Sequence, residues 1–156
     1  MRHLERIKQI GRFVRHARSP AQWPAFATIG YARGHPFGGR DLAARVGRTL
    51  WPSIVVARPA GWRGSSIELD PADLGHLVSF EEIVVDGAYD LGLVPFTPDL
   101  ILDCGAHIGL FAVLATARFP GVSCEAFEPD ARNASFVRRQ FARNRMKIAA
   151  REGASC

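Results

Sequence analysis

The chain is short of the features that mark small extracellular folds and membrane proteins. It holds three cysteines in 156 residues, Cys104, Cys124 and Cys156. Their spacing fits neither a zinc nor a redox motif, and the odd count argues against a disulfide framework. A reducing cytoplasm is therefore the expected compartment, with Cys104 and Cys124 as packed core thiols. No apolar run approaches the roughly 20 residues of a membrane-spanning helix. The basic N-terminus leads into no apolar stretch with a small-residue cleavage site, which argues against a secretory leader. Uniform positive charge is lacking too. The net +5 divides into +5 over residues 1–20, −6 over 21–131 and +6 over 132–156. A nucleic-acid binder would not be acidic through its middle, so no nucleic-acid partner is expected, and the basic ends read as solvated helix faces.

What is present is an ordinary globular composition, 47% hydrophobic and 22% charged, at the length of one domain. Residues 1–18 place Leu4, Ile7, Ile10, Phe13 and Ala17 at helical spacing between arginines, which predicts an amphipathic helix packed on the domain. Residues 19–66 are rich in Pro, Gly, Trp and Arg. A short helix near 41–50 and a strand near 53–57 are expected there, with Trp23, Trp51 and Trp62 covering a core edge. A strand is expected at 67–69. Asp70 followed by Pro71 reads as a helix start, and Leu74, Leu77, Phe80, Ile83 and Val84 read as inward-facing. The acids Glu81, Glu82, Asp86 and Asp90 have the spacing of an exposed helix face, and no metal site is read from them.

From Pro98 the pattern changes. Leu100–Cys104 is a short apolar run with one acid, the signature of a strand buried on both faces. A glycine turn follows, then a helix over 110–119 stopped by Pro120 and Gly121. A second strand over 122–127 ends at Glu128 and Pro129. Asp130 then caps a helix to about Met146, and residues 146–150 open a third strand. Strand, helix, strand, helix, strand with short loops predicts a parallel sheet with right-handed crossovers.

The glycines and the acid belong to one site. In such a sheet the ligand crevice lies where strands end and loops turn into helices. The first such loop runs Asp103-Cys104-Gly105-Ala106-His107-Ile108-Gly109. Gly105 lets the backbone turn sharply and approach a ligand, because it has no Cβ; Gly109 is expected to let the next helix approach the strand. Glu128 follows Gly105 by 23 residues, which suits a carboxylate accepting ribose hydroxyls. A dinucleotide fingerprint has a middle glycine that admits a pyrophosphate. Here His107 takes that place and an acid precedes the loop, which suits a ligand with a cationic amino-acid tail. S-Adenosyl-L-methionine has both that tail and the ribose.

These residues also resemble a family. The stretch "DCGAHIGLF" with the following "FEPD" is similar to the glycine loop and second strand of class I S-adenosylmethionine-dependent methyltransferases, and most of all to the FkbM family. The resemblance covers about residues 73–144. It implies that Asp103, Gly105, Ala106, His107 and Gly109 line the methionine side of the cofactor and that Glu128 holds the ribose. His107 stands where that family often has Asn. The implied fold is α/β, a Rossmann-like sheet of the class I methyltransferase type. It is expected to be incomplete, with residues 1–66 as an N-terminal helical extension and 67–156 as the first part of the catalytic domain.

The resemblance implies methyl transfer to an oxygen of a small molecule or sugar. No catalytic base is identified, and this chain by itself is expected to be an active enzyme or an inactive fragment. Two other readings stay open. One is a catalytically dead cofactor-binding or protein-interaction module, with a homo-oligomer formed through the open sheet edge. The other is a nucleotide-binding Rossmann protein of another class.

Overall fold

A computed structural model describes residues 2–17, 26–27, 55–59, 61–62, 64–146 and 148–152. The expected helix near 41–50, and the positions of Trp23 and Trp51, lie outside the described residues. The chain divides into two compact units, one of Met1–Ala60 with Leu69–Asp86 and one of Gly61–Glu68 with Gly87–Cys156.

In the first unit, helix α1 (Arg2–Val14) is the basic amphipathic helix that the spacing predicts. Strand β1 spans Val55–Ala57 and helix α2 spans Leu74–Phe80. Phe80 collects the rings of Phe13, His16 and Phe26 at 5.7–6.1 Å. Arg12 donates to the Val85 carbonyl at 2.9 Å and to the Asp86 carboxylate at 2.8 Å. The basic helix therefore packs on its own unit, although Ile7 stays exposed. Burial, with the nearby charges of Arg15 and Arg12, pushes the His16 imidazole down to about 4.

Three details here depart from the sequence reading. Asp70 does not start α2: its carboxylate accepts from Ala72 N–H in a local turn, and Asp73 caps the helix through Gly75 and His76 N–H. Leu74, expected inside, is 37% exposed, whereas Glu81, expected on an exposed face, is buried. A π-helical turn over Glu81–Val85, closed by Asp86 N–H to the Glu81 carbonyl, follows α2. That wider turn rotates the faces away from a regular 3.6-residue period.

The second unit is a three-stranded parallel sheet, β3 (Leu100–Cys104), β4 (Ser123–Glu128) and β5 (Ile148–Glu152), in the order β3-β4-β5. Leu100 is in register with Ser123 and Cys124 with Ile148. Helices α3 (Leu110–Arg118) and α4 (Ala131–Asn144) make the crossovers. Strand order and chain order agree, so right-handed crossovers put both helices on one face. The core shows this directly: Ala112 of α3 and Val137 and Phe141 of α4 meet Cys124 and Ala126 of β4 in one cluster.

The other face of β3 is open. Leu100 and Leu102 are 50% and 56% exposed, and Cys104 beside them is exposed. The expectation of a strand buried on both faces is thus corrected. Residues 101 and 103 point into the core and 100, 102 and 104 point away, because no described element covers the second face. Cys104 is likewise no packed core thiol, being exposed. Cys124 is the buried free thiol.

Strand β2 (Ile67–Leu69) begins in this unit, and its approach is fixed by α4. Ser66 and Glu68 each exchange two hydrogen bonds with an amide side chain. Asn144 accepts from Ser66 N–H and donates to its carbonyl, both at 2.8 Å. Gln140 does the same for Glu68 at 2.9 and 2.8 Å. Four residues of helix rise about 6 Å and two of strand about 6.6 Å, so the amides act as a substitute strand. The Glu68 carboxylate is buried and also takes Arg139 and Arg143. Burial raises its pKa, but the two arginines outweigh that and leave it lowered.

Candidate functional site: the β3–α3 loop

Parallel strands deliver their carboxyl ends to the same edge, and there Asp103, the loop 105–109 and Glu128 come together. The register sets Asp103 beside Ala126 and Cys104 beside Phe127. The next two residues turn over the end of β4: Gly105 and Ala106 N–H both donate to the Phe127 carbonyl, at 2.9 and 3.0 Å. One residue on, His107 N–H donates to Glu128 Oε2 at 2.6 Å, and Asp130 N–H donates to Glu128 Oε1 at 3.0 Å. Glu128 thereby clamps the first loop to the second. Its two oxygens offer about four lone-pair positions, so two remain for further donors such as ribose hydroxyls.

The backbone explains the residue types. Gly105 has φ +79° and a Cβ there would meet nothing within 4 Å, so the loop leaves open space beside it. His107 also has positive φ, +53°. His is among the few non-glycine residues enriched in that region, so His107 suits the turn. Gly109, at φ +79°, caps α3. The neighbour of its Cβ position is Val137 of α4 at 3.5–3.6 Å, an ordinary contact. The glycine is therefore required by its φ, and the close approach is to helix α4, not to the strand. Ala106 is buried under the loop.

Asp103 carries the electrostatics. Its side chain is buried and Oδ2 has no hydrogen-bond partner. Burial first, and then the charge of Glu128, push its carboxyl up to about 6 against a backbone hydrogen bond from Ala112. A buried carboxylate oxygen without a donor is a costly arrangement. It suits a cationic donor arriving from a ligand. Gly105, with open space at its Cβ, leaves the approach clear.

A third acid went unnoticed in the sequence. Glu152 ends β5 in register with Glu128, so the backbone brings the ends of β4 and β5 together as it does those of β3 and β4. The signal was available, since each strand of this unit finishes on or near an acid. Among the described residues no group of three metal-ligating side chains forms, so Glu81, Glu82, Asp86 and Asp90 make no such cluster. No described helix is long and apolar enough to cross a membrane.

Comparison with known proteins yields short matches. No family model matches the chain, and no solved structure matches it. The AMB antimetabolite synthetase AmbE of Pseudomonas aeruginosa is 34% identical over 77 residues, which is 49% of this chain and 3% of that protein. Methyltransferase sdnD of Sordaria araneosa is 40% identical over 50 residues, 32% of this chain and 19% of that protein. The chain spans under a fifth of the length of these curated relatives. Part of the chain is thus similar to a methyltransferase.

Proposed function

We propose that the chain binds S-adenosyl-L-methionine at the β3–α3 loop and serves an S-adenosylmethionine-dependent methyl transfer of the FkbM type. The observation that carries the reading is the buried, donor-less Oδ2 of Asp103 beside the open space at Gly105. Similarity to a methyltransferase supports it. Asp103 takes the ammonium of the cofactor, the backbone of 105–109 follows its methionyl chain, and the spare lone pairs of Glu128 take the ribose hydroxyls. The cofactor supplies an activated methyl group on a sulfonium. The chain's own residues bind and orient it, and the acceptor is an oxygen of a small molecule or sugar. In domain terms, 67–156 is the first part of the catalytic domain and 1–66 its extension.

Calorimetric titration with S-adenosylhomocysteine, with NAD as control, tests the reading. Ligand at 100 times its dissociation constant stabilises the fold by about 2.7 kcal/mol. That gain is expected to vanish in Gly105→Val and in Asp103→Asn. A response to NAD alone would move the chain to another nucleotide-binding class.

One observation favours a second reading, an interaction module. Leu100 and Leu102 present an apolar strand face that no described residue covers, and exposed patches of this kind mark protein contacts. A homodimer by light scattering, lost in Leu102→Lys, is its expected signature. A monomer that stays monodisperse at high concentration would dismiss it.

A further inference from the structure

The same unit holds a cavity of about 300 Å³ at the opposite edge of the sheet. Its walls come from the loops that lead into β4 and β5, from the last turns of α3 and α4, and from Ser65. Strand β4 is six residues long, so about 20 Å separates this edge from the β3–α3 loop. It is a different site.

The polar lining has unfilled hydrogen-bonding capacity of both signs. Among the described residues, no donor reaches the carbonyls of Thr116 and Ala117 in the last turn of α3. The donor for Thr116 would be residue 120, and Pro120 has no N–H. Opposite in sign, the Arg145 guanidinium has no ion-pair or hydrogen-bond partner among the described residues, and the Ser65 hydroxyl has none either. All five residues named line the cavity, and Val122 and Met146 add apolar wall.

We propose that this cavity is a second small-molecule site, which takes a zwitterion of the α-amino acid class with a short apolar side chain. The carboxylate goes to Arg145 and the Ser65 hydroxyl. The ammonium goes to the helix-end carbonyls of Thr116 and Ala117, where the helix dipole also favours a cation. The side chain lies on Pro120, Val122 and Met146. A simple anion would have the arginine but would face two helix C-termini; a simple cation would have the carbonyls but face the arginine. Only the zwitterion satisfies both.

Arg145 provides a clean variant. It has φ +53° at the C-cap of α4, a conformation that Gly and Asn adopt more easily than Arg. Arg145→Asn therefore keeps the turn while removing the charge. The full chain is titrated with L-norleucine, hexanoate and pentylamine, which share an apolar tail and differ in the head group. L-Norleucine is expected to bind in the millimolar range, with hexanoate and pentylamine at least about tenfold weaker. Arg145→Asn and the cavity-filling Ala117→Met are each expected to weaken norleucine about tenfold or more, with the melting temperature of Arg145→Asn unchanged or raised.

Asp103→Asn separates this site from the β3–α3 loop, and norleucine affinity is expected to survive it. Equal affinity for the three probes, no binding at about 20 mM norleucine, or a loss in Asp103→Asn that Arg145→Asn does not reproduce would overturn the proposal.

Discussion

The Glu128 carboxylate accepts the backbone N–H of His107 at 2.6 Å, so the residue that ends one strand holds the loop leaving its neighbour. Its second oxygen holds Asp130 N–H, which begins the next helix. Glu128→Ala leaves two N–H groups without acceptors and is expected to cost about 1–3 kcal/mol. Glu128→Gln keeps one acceptor and is expected to cost less. Urea unfolding reads the difference, and amide exchange at His107 is expected to speed up in the alanine variant. An alanine variant as stable as the parent would mean the clamp contributes nothing.

The left-handed conformation of His107 sets a second expectation. His107→Asn is expected to change stability by less than about 0.5 kcal/mol, because Asn tolerates that region. His107→Val is expected to cost about 1–2 kcal/mol, since a β-branched residue does not. Equal melting temperatures for the two variants would contradict the loop geometry.

Asp103 makes stability depend on pH in an unusual direction. Its folded carboxyl is raised to about 6 from the ordinary value of 3.8 by burial. The folded state therefore holds a proton that the unfolded chain releases. The benefit is complete below pH 3.8 and is lost as pH rises towards 6. Asp103→Asn is expected to be more stable than the parent at pH 7, by roughly 3 kcal/mol at the upper limit. The difference should vanish near pH 4, checked by thermal melts across that range. Affinity for S-adenosylhomocysteine should rise as pH passes 6, because its ammonium needs the ionised carboxylate.

Much of the second unit was legible from the sequence. The apolar runs and breakers around 100–128 marked β3, α3 and β4, and Asp130 does cap α4 through Asn133 N–H. Ala134, Val137 and Phe141 are buried where their spacing put them. The glycine loop and Glu128 meet as their separation implied. The clamp of Gln140 and Asn144 on Glu68 and Ser66 was not legible, because amides on a helix look the same whether they face water or backbone. Nor was the open face of β3. An apolar run reports that a strand can be buried, and only the positions of the helices decide which faces are.

Cys124 should be chemically silent while the fold holds. Burial, with the charges of Asp103 and Glu125 nearby, pushes its thiol up to about 12. Since the thiolate is the nucleophile, iodoacetamide at pH 8 is expected to leave Cys124 unmodified until urea unfolds the unit. Rapid modification without denaturant would place the thiol outside the core described here.

The central claim is that Asp103, the loop 105–109 and Glu128 form one cofactor site. Amide NMR spectra recorded with increasing S-adenosylhomocysteine test it most directly. The account predicts saturable shifts concentrated at residues 103–109 and 128–130, absent with NAD and absent in Gly105→Val. Shifts confined to other parts of the chain, or none at millimolar ligand, would contradict it.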